Sequence, residues 1–382
     1  MSQIKEQFLL DPNITFLNHG SFGATPKLVF EEYQRWQREL ERQPVEFLDR
    51  RFAERMAASR AELAEYIGAQ RDDLVYVTNA TVGVNIVARS LDLGPSDEVL
   101  TTDHEYGACD RTWKFLAGKR GFDYVRQSIP APIFKSDDFV EQLWQGVTAR
   151  TKVIFISHIT SPTAMTFPIA EVCRRAREQG ILTVIDGAHV PGQLSINLEE
   201  VGADFYTGNL HKWLCAPKGA GFLYARPKKQ DLLEPLVVSW GYESEKPGQS
   251  QFVDHHEWWG TRDIAAFLSV PAAIEFQKEH DWDKVRAICH DLAVNAEARI
   301  CKLTELPSIY SNDSWFAQMV AAQLPVETDI LALKDYLYNE HRIEVPLIAW
   351  NGHKLIRISI QGYNTLKDVD ALITALKHWN NG

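Results

Sequence analysis

The sequence predicts an α/β fold, with a large and mainly parallel sheet followed by a smaller α+β domain. Between residues 74 and 225, short apolar segments alternate with helical ones, a pattern typical of a parallel sheet covered by helices on both faces. After about residue 265 the helical segments lengthen, and the few strand-like segments that remain have an antiparallel character. A chain of 382 residues is long enough for two domains.

The predicted elements begin with helices. Apolar residues such as Leu28 and Leu40 recur at helical spacing, and Pro44 interrupts the pattern. A second helix continues from there to Gly68, a residue typical of helix ends. The predicted strands of the large sheet are 74–78, 99–102, 152–157, 181–185, 203–206 and 221–225, with a helix at 169–180 among the connections.

The C-terminal third is predicted as a separate unit. Helices are expected at 266–278 and 285–303, and strands at 316–324, 344–350 and 355–360. We therefore expect a large domain at 25–264 and a small domain at 265–382, which the N-terminal segment 1–24 joins.

Composition excludes several classes of function. The net charge of −11 argues against a nucleic-acid or anionic-membrane partner, and no apolar run is long enough to span a bilayer. The N-terminus lacks a signal-peptide pattern, and five scattered cysteines without a CxxC motif suit a reducing compartment. We expect a cytoplasmic protein. His104-Glu105 and His255-His256-Glu257 lack the further ligands of a metal site, so we expect no metal.

One lysine and one aspartate carry the strongest chemical signal. Asp186 directly follows the apolar strand 181–185, and Lys212 lies 212 − 186 = 26 residues later. Open α/β sheets bind ligands beyond the carboxyl ends of their strands. Together the two residues offer an amine that can bond to an aldehyde and a carboxylate that can keep a pyridine nitrogen protonated. Pyridoxal phosphate needs both groups.

Polar residues after other strands could complete such a site. Thr81, at the start of a helix, suits a phosphate, although for this residue taken alone a simple helix cap is the better explanation. His104 and Tyr106 bring aromatic rings that could stack on a flat cofactor. The hydroxyls of 157–163 could reach the cofactor or the substrate, or could belong to an ordinary polar loop. Arg357 interrupts an apolar strand, so it needs either an internal carboxylate or a substrate carboxylate.

These motifs resemble the class V aminotransferase family of fold type I pyridoxal phosphate enzymes. The sub-pattern is similar to isopenicillin N epimerase-like proteins and to cysteine C–S lyases. The motifs that carry the resemblance are 18–23 (NHGSFG), 78–81 (TNAT), 186–189 (DGAH) and 206–215 (YTGNLHKWLC). The resemblance implies the pyridoxal phosphate-dependent transferase fold, with a seven-stranded-type sheet in the large domain.

The resemblance also implies roles for individual residues. Lys212 would bond to the cofactor and move protons, Asp186 would pair with its ring nitrogen, and His189 would lie near the ring hydroxyl. Arg357 would bind the substrate carboxylate, with Asn18 and Tyr106 nearby, and His104 would stack on the ring. Family members are homodimers, in which the partner subunit's copy of Gly260-Thr261 would reach the phosphate. The remaining cofactor contacts would come from Thr81, Ala80, Ser161, Asn209 and His211.

The chain departs from cysteine desulfurases in one respect. Those enzymes carry a nucleophilic cysteine upstream of the carboxylate-binding arginine, whereas no cysteine lies between Cys301 and Arg357 here. Persulfide formation is therefore not expected. We expect an enzyme that removes the Cα proton of an amino acid, as an epimerase. The alternatives are a C–S lyase or an aminotransferase, and a non-catalytic cofactor-binding protein is a further, less favoured one.

Overall fold

The computed structural model describes residues 2–381, with side chains described for residues 4–379. Its main sheet has seven strands in the order β2-β8-β7-β6-β5-β3-β4. Strand β8 pairs antiparallel with β2 and β7, and the other pairs are parallel. The strands within residues 2–381 are β1 Thr15–Phe16, β2 Leu74–Val77, β3 Glu98–Thr102, β4 Asp123–Gln127, β5 Thr151–Ser157, β6 Leu182–Asp186, β7 Phe205–Asn209, β8 Gly221–Ala225, β9 Met319–Leu324, β10 Ile343–Glu344, β11 Leu347–Trp350 and β12 His353–Ser359.

Helices cover this sheet and form much of the C-terminal part. They are α1 Ser2–Lys5, α2 His19–Phe22, α3 Lys27–Arg42, α4 Phe52–Ile67, α5 Ala80–Ser90, α6 Gly107–Arg120, α7 Ser136–Trp144, α8 Ile169–Glu178, α9 Leu198–Val201, α10 Gln251–Glu257, α11 Ala265–Leu268, α12 Val270–Glu279, α13 Trp282–Thr304, α14 Ile330–His341 and α15 Leu366–Asn381. Within residues 2–381, no helix combines the length and the apolar composition that crossing a membrane requires.

The architecture confirms the predicted fold class, but three local predictions were wrong. Strand β4 was missed because it lies at the edge of the sheet and is only partly buried, so its sequence shows little apolar signal. The predicted helix 266–278 is interrupted at Ser269, whose hydroxyl donates to the carbonyl of Ala265 (2.7 Å). The predicted strand 344–350 is two strands, because Pro346 separates β10 from β11 and the two belong to different sheets.

The N-terminal segment pairs with the C-terminal part of the chain. Strand β1 lies parallel to β10, and Asn18 forms a bridge with Ser359 at the end of β12. Strands β11, β12 and β9 form an antiparallel sheet against which α13 packs. The domain boundaries at residues 24 and 264 stay a prediction.

The sheet places its polar strand ends side by side. Ser157 at the end of β5 is in register with Asp186 at the end of β6, which is in register with Thr207 of β7. From β3 the chain adds β4 on one side and β5, β6 and β7 on the other, so the direction in which strands are added reverses between β3 and β5. Open α/β sheets form ligand crevices at such a point. The segments that follow these strands therefore meet at one edge.

Candidate active site

A cavity of about 240 Å³ opens at this edge of the sheet. It brings together nine of the residues selected from the sequence and six others. The selected residues in its wall are Ala80, Thr81, Tyr106, Ser161, Asp186, His189, Asn209, His211 and Lys212. The others are Ser21, Phe22, Asn79, Ser157, Ile159 and Ala188.

Lys212 lies in the turn after β7, and its amine is buried. Its Nζ is 3.2 Å from Nε2 of His189. Burial first and the positive charge of Arg357 second lower the pKa of Lys212, Asp186 acts in the opposite direction, and the resulting pKa is about 8. A substantial fraction of the amine is therefore neutral near physiological pH, which a nucleophilic lysine requires.

Asp186 ends β6 with a buried carboxylate. One oxygen, Oδ1, accepts the backbone N–H of Ala188 (2.9 Å), and Oδ2 accepts the thiol of Cys109 (3.4 Å). Burial raises the pKa of Asp186, whereas the backbone hydrogen bond and the charge of Lys212 lower it. A cationic N–H placed at this carboxylate would satisfy it, so the site fits a protonated pyridine nitrogen.

His189 lies between Trp213 and Lys212. The indole Nε1 of Trp213 can only donate, and it lies 3.2 Å from Nδ1 of His189. Burial and the charge of Lys212 hold the pKa of His189 well below its usual value, so the ring is neutral. Its proton is then on Nε2, facing the Lys212 amine. This arrangement holds the amine in place and favours its neutral form.

The N-terminus of helix α5 forms the polar end of the cavity. Asn79 caps the helix by accepting the N–H of Val82 (3.0 Å), and Oδ1 of Asn209 accepts the N–H of Ala80 (2.8 Å). The N–H groups of Ala80 and Val82 are thus already bonded, and Thr81 lies between them. A phosphate at this helix N-terminus would therefore meet Thr81.

His211 also borders this end of the cavity. Its Nδ1 donates to the carbonyl of Ala220 (3.1 Å), and burial lowers its pKa to about 4. To donate a hydrogen bond to a phosphate, Nε2 must take up a proton. An incoming dianion would supply the favourable charge for that step.

Arg357 lies just behind the cavity wall and is buried. Its guanidinium donates to the carbonyl of Ser161, to the Ser161 hydroxyl (3.2 Å) and to the Ser21 hydroxyl (3.3 Å). Its Nε has no partner, and among the described residues no carboxylate forms an ion pair with it. Burial lowers its pKa to about 10, so it stays charged at neutral pH. The internal salt bridge considered from the sequence is absent among these residues, and the binding of a substrate carboxylate by Arg357 stays a prediction.

The structure does not support the predicted stacking of His104 on a cofactor ring. His104 is fully buried outside the cavity wall, and its Nδ1 and Nε2 contact the Thr163 hydroxyl (2.7 Å) and the Ile129 carbonyl (2.8 Å). Its ring packs against Trp350, with 4.5 Å between the centroids. Tyr106, two residues later, lines the cavity instead and is half exposed. Of the two aromatic rings that the sequence offered after β3, Tyr106 is the one that lines the cavity.

Three other selected residues lie outside the cavity. Asn18 is one step removed, because it accepts the Ser21 hydroxyl (2.5 Å) and donates to Glu344 (3.1 Å). Thr261, which follows Gly260, lines a separate surface groove of about 1020 Å³. Asn18 therefore orients a cavity residue, and Gly260-Thr261 makes no contact with this cavity in a single chain.

Sequence reasoning missed Ser21 and Phe22 as cavity residues. Both lie in the 18–23 motif, from which only Asn18 was selected. The short helix α2 turns Ser21 and Phe22, rather than Asn18, towards the cavity. The helical periodicity of four residues is too short a signal to show this from the sequence.

Comparison with known proteins identifies the family. The model of the aminotransferase class-V family matches residues 25–372. The chain is 35% identical over 386 residues to an isopenicillin N epimerase of Amycolatopsis lactamdurans, with 98% of this chain and 97% of that protein covered. It is 27% identical over 400 residues to an L-cysteine desulfhydrase of Arabidopsis thaliana, with 94% of this chain and 86% of that protein covered.

Solved structures show the same fold. A cystine C–S lyase in complex with cysteine persulfide superposes with a TM-score of 0.84 at 22% identity, covering 96% of this chain and 98% of that one. The apo cysteine desulfurase of Thermococcus onnurineus superposes with a TM-score of 0.83 at 20% identity, covering 99% of this chain and 97% of that one. The chain belongs to the class V aminotransferase family. Membership confirms the predicted fold, the predicted enzyme class and pyridoxal phosphate as the cofactor.

Proposed function

We propose that this enzyme removes the Cα proton of an amino acid from one face and delivers another proton to the opposite face, as an amino-acid epimerase. The observation that carries the proposal is the placement of three groups in and next to one cavity. The amine of Lys212 and the carboxylate of Asp186 lie in the cavity wall. The guanidinium of Arg357 lies behind that wall and lacks an acidic partner among the described residues.

The wall of the cavity fits pyridoxal phosphate in a defined orientation. The phosphate would lie at the N-terminus of α5, held by Thr81, Asn209 and a protonated His211. The ring nitrogen would lie at Asp186, and Tyr106 would pack on the ring face. When bound, the cofactor withdraws electrons from Cα and so weakens the Cα–H bond.

The protein's own groups would then handle the substrate and its proton. Arg357 would bind the α-carboxylate, and Ser21 and Ser161 would hold the guanidinium in place. The Nζ of Lys212 would accept the Cα proton, because its pKa near 8 suits a base working at neutral pH. His189, neutral and hydrogen-bonded to that amine, would keep it oriented.

Epimerisation requires a second proton donor. The titratable side chains of the cavity wall are Tyr106, Asp186, His189, His211 and Lys212. Four of these already have a role: Lys212 is the base, His189 orients it, Asp186 faces the ring nitrogen and His211 faces the phosphate. The hydroxyl of Tyr106 has no other role. We therefore assign the second proton to the hydroxyl of Tyr106, which is half exposed and would regain a proton from water while Lys212 releases the one it accepted. The similarity to isopenicillin N epimerases along nearly the whole chain also favours this reaction.

A C–S lyase is the second candidate. Similarity to L-cysteine desulfhydrases favours it, and β-elimination needs Lys212 as its only base. A persulfide-forming desulfurase is not supported, since none of the five cysteines lines the cavity. Four of them are buried, and burial raises the pKa of Cys301, the remaining one, to about 12.

Turnover in heavy water separates the two reactions. The purified enzyme would be incubated with L- and D-amino acids, cysteine conjugates and a tripeptide with a free α-amino acid end, and the products followed by mass spectrometry and chiral chromatography. Epimerisation predicts deuterated substrate of the other configuration, and Tyr106→Phe should suppress inversion while leaving deuterium exchange by Lys212. Pyruvate, ammonia and a released sulfur compound would instead establish the lyase.

We also propose that the enzyme works as a homodimer. The support is the 1020 Å³ groove near Thr261, which has apolar residues in its wall, among them Trp240 with 85% of its surface exposed. In the dimer, Gly260-Thr261 would contact the phosphate in the partner's cavity. Sedimentation should give a dimer. Mixed dimers of Lys212→Ala and Thr261→Ala chains should recover activity that neither variant has alone, and a fully active monomer would refute the proposal.

A further inference from the structure

One buried histidine has no role in the proposed reaction but touches the catalytic lysine. His19 begins helix α2 and is fully buried. Its Nε2 is 2.9 Å from the backbone carbonyl oxygen of Lys212, and its Nδ1 is 2.8 Å from the hydroxyl of Tyr363. The ring therefore joins the lysine segment to the residues that follow β12.

The chemistry of the partners fixes the direction of these hydrogen bonds. A carbonyl can only accept, so Nε2 carries the proton and donates to Lys212. The Tyr363 hydroxyl then donates to Nδ1. The Gln361 amide nitrogen also approaches Nε2 (3.2 Å), but it can donate to Cys215 Sγ at 3.7 Å instead. Burial lowers the pKa of His19 to about 3, so this donor does not titrate in the physiological range.

The backbone packing at this point is unusually close. Gly23, at the end of α2, has a φ of +69°, and a Cβ there would lie 1.9 Å from the His211 carbonyl oxygen and 2.9 Å from the Lys212 Cα. The next carbonyl, that of Trp213, accepts the side-chain amide of Gln277 (2.8 Å). The backbone around Lys212 is thus held by donors from two separate elements.

We propose that His19 is a positioning residue that fixes the backbone of Lys212 and couples it, through Tyr363, to the C-terminal part of the chain. The inference rests on the proposed role of Lys212. Because the amine hangs on a flexible four-carbon stem, its reactivity depends on where the backbone anchors that stem. His19 touches neither the substrate nor the cofactor in this arrangement, and it acts only through the lysine.

Amide side chains of two lengths test the geometry. His19→Gln can place an amide nitrogen where Nε2 lies, whereas His19→Asn can reach only the position of Nδ1. Apoprotein would be mixed with pyridoxal phosphate, and growth of the visible absorbance band would give the rate of cofactor capture. The pH midpoint of the band's titration is a second readout that does not depend on turnover.

We expect His19→Asn to slow cofactor capture by about tenfold and to shift the pH midpoint. His19→Gln should recover most of the wild-type rate and most of the wild-type midpoint. Tyr363→Phe removes a single oxygen. It should change the capture rate and the pH midpoint in the same directions as His19→Asn, but by less. The matched control is His341→Phe, which removes another imidazole–phenol hydrogen bond, to Tyr336 (2.8 Å), in α14. It should leave both readouts unchanged, and thermal melting checks that every variant is folded.

Two results would overturn the inference. In the first, His19→Asn and His19→Gln behave alike. In the second, Tyr363→Phe and the folded His19 variants capture the cofactor at the wild-type rate with an unchanged midpoint. Tyr363→Phe decides the matter if the His19 variants do not fold. A wild-type protein that forms no band would instead refute the proposed role of Lys212 itself.

Discussion

Replacing Arg357 tests the substrate-binding arrangement in the most quantitative way. Arg357 is 4% exposed and has no acidic partner among the described residues, so a bound α-carboxylate would form a largely desolvated charge pair with it. Truncating one member of such a pair costs about 2–5 kcal/mol. At about 1.4 kcal/mol per decade, Arg357→Gln should lower kcat/KM by roughly 30- to 4000-fold.

The assay compares two substrates, so that loss of folding cannot imitate the result. One is the amino acid that the enzyme turns over fastest, and the other is the amine that lacks its carboxylate. Arg357→Gln should abolish the wild-type preference for the amino acid, while Arg357→Lys should restore part of it because the charge remains without the two-pronged geometry. An unchanged preference in Arg357→Gln would refute the assigned role.

The same variant has a consequence at the lysine. The charge of Arg357 is among the causes that lower the pKa of Lys212, so its removal should raise that pKa above about 8. A titration of cofactor capture in Arg357→Gln should therefore move towards higher pH. A midpoint that stays in place or falls would show that the two groups do not interact.

Three further experiments test other parts of the site and the backbone packing near Lys212. Asp186→Asn should lower kcat by about a hundredfold or more while the protein stays folded, and a loss under tenfold would contradict its pairing with the ring nitrogen. The rate at which apoprotein captures pyridoxal phosphate should rise with pH and level off above about 8, where Lys212 is neutral, whereas a rise continuing to pH 10 would indicate a lysine with its ordinary pKa of 10.5. Gly23→Ala should destabilise the fold by more than about 1 kcal/mol because its Cβ would meet the His211 carbonyl, while Gly118→Ala, in α6 with open space around it, should stabilise by about 0.5–1 kcal/mol. Denaturant unfolding measures both, and equal effects would contradict the packing argument.

Much of the fold could be predicted because apolar strands and amphipathic helices leave strong periodic signals. The buried strand β5 is an example, with six of its seven residues buried. The edge strand β4 has a weaker pattern, because exposure on one side removes the need for apolar residues. The break at Pro346 between β10 and β11 could have been predicted, because proline has no N–H to donate to the hydrogen bonds of a central strand.

The site could be predicted in part, because polar residues after parallel strands must meet at one edge of the sheet. Asp186 and Lys212 were found in this way, and the cavity contains both. The choice between His104 and Tyr106 could not be made, because it depends on which ring faces the cavity after the strand ends. His19 was also missed, because its partners are a backbone carbonyl and a phenol 344 residues away along the chain. A sequence contains no local signal for such a contact.

The central claim is that Lys212 carries the cofactor in this cavity. Borohydride reduction of the purified holoenzyme, followed by protease digestion and mass spectrometry, shows which lysine bears the pyridoxyl group. We predict that the label lies on the peptide containing Lys212 and that the Lys212→Ala protein remains unlabelled. A label on another lysine of the wild-type protein, or equal labelling of Lys212→Ala, would contradict the account.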